Sequence, residues 1–167
     1  MSILDFVKSA GEKLFGTGAA KAATEAAAAE PSNADKAKAA NDAAAEAITS
    51  YIKSQNLTVT GLLVTYDGAA ATVTVYGVAA DQATMEKVLL CCGNVAGVAK
   101  VSNMMSVDHS APEAKYYTVV SGDNLSKISK AQYGDPNKYM KIFEANKPML
   151  THPDKIYPGQ VLRIPPL

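Results

Sequence analysis

The chain has 167 residues, 48% of them apolar and 19% charged, a length that suits one average domain or two small ones. Sixteen Lys and Arg cancel sixteen Asp and Glu, which gives no electrostatic footprint for a nucleic-acid partner and no pull toward anionic lipid. No apolar run approaches the roughly 20 residues that cross a bilayer, and Asp5, Lys8, Glu12 and Lys13 break up the N-terminus before a signal-peptide core can form; the expectation is a cytoplasmic protein with no membrane association.

In residues 1–16, Ile3, Phe6, Val7, Ala10 and Leu14 recur at helical spacing, with the charges on the other side. A floppy terminus and a membrane-surface helix are both conceivable. A helix docked on the body of the protein is preferred, because so short a helix is marginal alone and its charges balance, unlike those of a lipid-binding helix. Residues 17–35 read as an Ala-rich linker. From Thr17 to Glu30 no large apolar residue is present, so little surface can be buried there, which suits a linker or an exposed, partly frayed helix. After Pro31, Ser32 or Asn33 can cap a helix with Asp35 in its first turn. Ala37, Ala40, Ala44, Ile48 and Ile52 give that helix a narrow core-facing stripe to about Gln55.

Residues 36–108 read as one unit with that helix, and over 57–107 the period changes. Leu62, Val64 and Tyr66 alternate, Asp67-Gly68 supplies a tight turn, and Thr72 to Tyr76 alternate again before Gly77, which predicts a hairpin. Asp81 caps a helix carrying Met85, Val88, Leu89 and Cys92 that ends at Gly93. A loop over Gly93–Gly97 leads into a last strand from about Val98 to Val107. Cys91 and Cys92 are the only cysteines, and adjacent residues suit buried, reduced thiols better than a structural disulfide. His109 and His152 lack ligand-like spacing to them, so zinc is not expected.

Residues 109–115 (HSAPEAK) read as a linker. In 116–167, Tyr117–Val120 predicts a strand, Ser121-Gly122-Asp123 a turn, Leu125 and Ile128 a helix, and Tyr139, Ile142 and Phe143 a second helix. Tyr157-Pro158-Gly159-Gln160 turns into the closing strand Val161–Ile164. The whole is an α+β protein, helix–strand–strand–helix–strand followed by strand–helix–helix–strand.

YTVVSGDNLSKIS, the central YG, FEANK and IYPGQVLRIP, in that order and spacing, resemble the LysM family over Tyr116–Pro165, with Asn124 where that family most often has Thr. Residues 37–107, with TVTVYG and GNVAGV, resemble a BON domain. Together with FVKSAGEKLF and FEANKPML, the chain is similar to a family of two-domain BON–LysM proteins of enteric bacteria. That resemblance implies a monomeric cytoplasmic sensor or buffer that binds K⁺ in preference to Na⁺, with Rb⁺ and Cs⁺ as substitutes, and compacts on binding.

Potassium is large and weakly polarising, and main-chain carbonyls can hold it; carboxylate cages favour harder ions such as Ca²⁺. Its site is therefore sought where helices end and carbonyls lose their partners. Under the resemblance, the carbonyls of Val7 and Ala10, before Gly11, and of Gly93, Val95 and Val98, around the second helix end, are the candidate K⁺ ligands. Taken without it, the same loop reads as an ordinary C-cap and turn. The alternative function is the LysM one, binding of N-acetylglucosamine glycans such as peptidoglycan, with Gly122, Asp123, Asn124, Leu125, Ile156 and Pro158 as candidates. No catalytic residue is expected: His109 and His152 fall in a linker and a loop, and Asp123 and Asp135 read as turn and capping groups.

Overall fold

A computed structural model describes residues 2–5, 34–95 and 97–167 of the chain. Its elements are β1 (Ser2–Asp5), α1 (Ala34–Ser54), β2 (Val59–Asp67), β3 (Thr72–Asp81), α2 (Gln82–Gly93), β4 (Lys100–His109), β5 (Lys115–Thr118), α3 (Leu125–Tyr133), a 3₁₀ turn (Pro136–Lys138), α4 (Tyr139–Ala145) and β6 (Val161–Ile164). The α+β class and both expected element orders are present. Four strands form one sheet in the order β1-β4-β3-β2, and β5 and β6 form a separate ribbon.

The N-terminus departs from expectation. Ser2–Asp5 is not the start of a helix but an edge strand antiparallel to β4, with Ser2 opposite Asn103 and Asp5 opposite Lys100. Ile3 and its neighbours satisfy a helical period, but four residues cannot offset the cost of a helical nucleus, whereas the open edge of β4 offers a ready ladder. The remainder of the expected docking helix and the Ala-rich linker as far as Asn33 lie outside the described residues.

The hairpin forms, and it runs past Gly77 instead of stopping there. Between Thr60 and Leu63 the register of β2 shifts against β3, and Gly77 (φ +139°) lies beneath that irregularity. A Cβ on Gly77 would sit 2.6 Å from Val59 Cγ1 and 2.9 Å from the Thr60 carbonyl, so the glycine lets the strands stay paired instead of ending one. β3 and β4 pair in parallel, from Thr72 opposite Lys100 to Asp81 opposite His109. His109 accordingly ends a strand, its Nδ1 3.1 Å from the Ala80 carbonyl oxygen, and is not in the linker.

Helix α1 buries Ala44, Ile48, Tyr51 and Ile52, its alanines allowing close approach to β2 and α2. Helix α2 starts at Asp81, whose carboxylate accepts the Thr84 N–H at 2.7 Å. It is buried on more than one side, because it lies against β3 and β4 and also against β6 of the C-terminal segment. The apolar core is consequently continuous: Val88, Leu89 and Leu90 belong to the same cluster as Leu125, Ile142 and Leu162. The stretch expected to be a linker is anchored on α2, since Ala114 is buried and its N–H donates to Glu86 Oε1 at 3.0 Å.

At the centre of this junction Arg163 Nε of β6 donates to Glu86 Oε2 of α2, both side chains being buried. Gln82 Nε2 donates to Glu86 Oε1 at 2.9 Å, so the carboxylate that leaves water regains three donors. Removing one charge strands the other. Arg163→Met is expected to destabilise the protein by about 3–5 kcal/mol in urea unfolding, and adding Glu86→Leu to recover more than half of that loss. Spectroscopic reporters placed in the two halves of the wild type should unfold in a single coincident transition.

Candidate functional site

The candidate carbonyls of Gly93, Val95 and Val98 come from one short stretch where α2 runs out. Gly93 is the last residue of α2, and Asn94 caps it in a near-bridge conformation (φ −87°, ψ 3°) with its N–H donating to the Leu90 carbonyl at 3.0 Å. Val95 N–H then donates to the Cys92 carbonyl at 3.3 Å, and Val98 N–H to the Val95 carbonyl at 3.2 Å. Gly97 turns the chain at φ +91°, and its carbonyl accepts the Tyr66 hydroxyl at 3.3 Å. Two further bonds close the turn, from Ala99 and Lys100 N–H to the Ala71 carbonyl. Val7 and Ala10, the other two candidates, lie outside the described residues. The chain leaves β1 at Asp5, however, opposite Lys100 and so two residues from Val98.

The surroundings sharpen the electrostatics. Gly93, Asn94, Val95 and Val98 are buried, and Cys92 and Val101 are apolar neighbours in the same core. The last turn of α2 carries no basic residue, whereas α1 ends with Lys53 and α3 with Lys130. The negative end of the α2 dipole is therefore not answered by a cationic side chain of its own last turn, and it sits in a low-dielectric wall where its field is strong. Each carbonyl has two lone pairs, so accepting one hydrogen bond leaves capacity for a cation. Among the described residues no group of three or more His, Cys, Asp or Glu side chains gathers in one place.

The Asn94 side chain points the other way, and its role is absent from the sequence pattern. Its Oδ1 accepts the Val161 N–H at 3.1 Å and its Nδ2 donates to the Val161 carbonyl at 3.1 Å, a two-bond clamp from the end of α2 onto β6. Asn146 clamps the same strand from α4, with Oδ1 accepting Arg163 N–H at 2.8 Å and Nδ2 donating to the Arg163 carbonyl at 2.9 Å. Glu86 could have been found: Gln82, Met85, Glu86 and Leu89 share the core-facing spacing of α2, and a carboxylate on that stripe demands a buried partner. Nothing in the sequence says that the partner is Arg163, 77 positions away.

In the C-terminal segment a groove of about 530 Å³ is lined by Asn124, Leu125, Ser126, Tyr139, His152, Pro153 and Asp154. Of the six glycan candidates it gathers Asn124 and Leu125. Asn124, not Asp123, caps α3, accepting Lys127 N–H at 2.8 Å. Asp123 is committed elsewhere, with Oδ2 accepting the Tyr117 hydroxyl at 2.7 Å and the Val120 N–H at 3.0 Å. That bond holds the Tyr117 phenol above its ordinary pKa. Gly122 adopts φ +87° at the turn, its carbonyl accepting Lys127 Nζ at 3.0 Å. Ile156 is half-buried and Pro158 exposed.

Cys91 and Cys92 are free and buried, as expected. Burial pushes the Cys91 thiol up to about 12, against a small opposing pull from Lys87, and raises Cys92 well above its ordinary value. Thiols of this kind are neither nucleophiles nor metal ligands at neutral pH. The native protein should therefore resist a thiol-specific reagent at pH 8, and both cysteines should react once it is unfolded. Because the folded state raises the Cys91 pKa, its contribution to stability is complete below about pH 9 and is lost as the pH climbs toward about 12. Urea midpoints measured across that range should fall.

Residues 117–165 match the LysM domain family. An Escherichia coli O6:H1 protein named potassium binding protein Kbp is 41% identical over 165 residues, which span 99% of this chain and 99% of that one. An uncharacterized protein of Deinococcus radiodurans is 53% identical over 49 residues, 29% of this chain and 19% of its own length. With similarity of that extent running from end to end, the chain belongs to the family of the potassium binding protein Kbp and carries a LysM domain in its C-terminal segment.

Proposed function

We propose that this protein binds a potassium ion at the end of α2 and that its N-terminal region, which has the element order of a BON domain, acts with the LysM domain as one ion-sensing unit. The observation that carries this reading is the full-length relationship to a protein named for potassium binding. The local physics supports it: a helix terminus rich in buried main-chain oxygens, with no lysine or arginine in its last turn, suits a large cation that takes neutral ligands. The carbonyls of Gly93, Val95 and Val98 are the proposed ligands on this side. Those of Val7 and Ala10 are proposed to complete the shell, a role favoured by the position of Asp5 opposite Lys100.

Binding of this kind acts by linkage. An ion taken up only by the folded, closed form stabilises it by RT ln(1 + [K⁺]/Kd), about 2.7 kcal/mol at a hundredfold excess over Kd. That is enough to bias the seating of one segment on another, and compaction would then be the signal. Titration calorimetry in KCl should give saturable heats with a stoichiometry near one, and NaCl and LiCl much weaker ones. Equal weak heats in all three salts would overturn the reading. Gly97→Val, which forces a β-branched side chain into φ +91°, should abolish the difference between melting temperatures in KCl and NaCl.

A second reading, binding of an N-acetylglucosamine glycan, is favoured by the LysM match and by the groove beside Asn124 and Tyr139. Its mixed lining, polar at Asn124, Ser126 and Asp154 and apolar or aromatic at Leu125, Tyr139 and Pro153, suits an acetamido group and a sugar face. Retention on purified peptidoglycan, lost on Tyr139→Ala, would support it; passage through the matrix unretained would remove it.

A further inference from the structure

The site just proposed leaves one buried group unexplained. Asn94 lies between two of the proposed ligand residues, is 1% exposed, and spends both ends of its amide on a strand of the other half of the molecule. An ordinary helix cap needs none of this, because the Asn94 main-chain N–H already closes α2 by itself. The amide meets a single residue, Val161, donating to its carbonyl and accepting from its N–H, so it behaves like an added rung on the outer side of β6. It anchors the residue on which the turn is built: the peptide plane before Asn94 carries the Gly93 carbonyl, and the Val95 carbonyl follows two peptide planes later. Val161 is held from its other side by β5, where it pairs with Thr118, and the adjoining Gln160 carbonyl accepts the Val119 N–H at 2.8 Å.

We propose that Asn94 is the positioning residue of the cation site: its clamp on Val161 aims the carbonyls at the end of α2 and so makes K⁺ affinity depend on the seating of the LysM domain. The inference rests on the potassium reading and goes beyond it by assigning the coupling to one side chain. Coupling of this kind is reciprocal. Whatever factor the seated domain contributes to ion affinity, the ion contributes to seating. Two neutral hydrogen bonds lost together correspond to roughly a tenfold change in an equilibrium constant.

The experiment is K⁺ titration of the full chain carrying Asn94→Ala, beside the wild type and Met149→Ala. The second variant removes a different contact between the same two parts, Met149 Sδ being 3.2 Å from Cys91 Sγ, without touching the loop. Asn94→Ala should keep its fold, judged by circular dichroism in NaCl, and bind K⁺ about tenfold more weakly. Met149→Ala should lose stability and shift Kd less than twofold. An unchanged Kd in Asn94→Ala, or an equal weakening in both variants, overturns the assignment. If the wild type shows no K⁺ binding, it is the function that fails. Should Asn94→Ala not fold, NMR of the wild type decides: the Asn94 side-chain amide resonances should move on addition of KCl and stay fixed in NaCl, and immobility in KCl overturns the proposal.

Discussion

A carboxylate and a guanidinium removed from water together hold the two halves of this molecule in one arrangement. Desolvating either ion alone would cost several kcal/mol, and the pair is tolerable only because Gln82, Ala114 and Arg163 supply Glu86 with donors from three different segments. Each donor is placed by a different element: the first turn of α2, the approach to β5, and β6. The requirement that all three converge leaves little freedom in how the C-terminal segment sits on α2. Apolar contact supplies most of the favourable free energy but is indifferent to register. The buried polar groups supply the register.

Helix α2 therefore has two tasks. Its apolar face completes the core beneath the sheet, and two of its polar positions, Glu86 near the start (steadied by Gln82) and Asn94 at the end, address the LysM domain. A helix held at both ends is a stiff connection, and whatever changes at its C-terminus is felt where β6 is clamped. This gives the proposed ion site a route to the rest of the protein that does not require a long-range rearrangement. The fixed direction of a helix dipole does the rest: the end that attracts a cation is the end that carries Asn94.

The sheet presents a contrasting surface. Leu63, Tyr76 and Met104 stand directly opposite one another on β2, β3 and β4 and remain exposed on the face away from α1 and α2. Along β4 the side chains alternate, Met104 being exposed and Met105 half-buried. Among the described residues the two cysteines are packing groups, and the buried polar residues that organise the junction are a few amides and the Glu86–Arg163 pair.

Local chemistry determined much of this protein from sequence. Period-two runs, Asp81 as a cap, Asp67-Gly68 as a turn and Tyr157-Pro158-Gly159-Gln160 before a last strand are all short-range signals, and each element they predict is present. Where the sequence misled, a longer-range partner had intervened: the β4 edge drew Ser2–Asp5 into a strand, and the irregularity of β2 made Gly77 a point of passage instead of an end. Glu86 was legible as an anomaly on an apolar stripe, but its partner was not, and Asn94 looked like any residue after a helix. Tertiary structure alone decided those pairings, because a buried polar group can be answered from anywhere in the chain and sequence spacing carries no record of which answer is used.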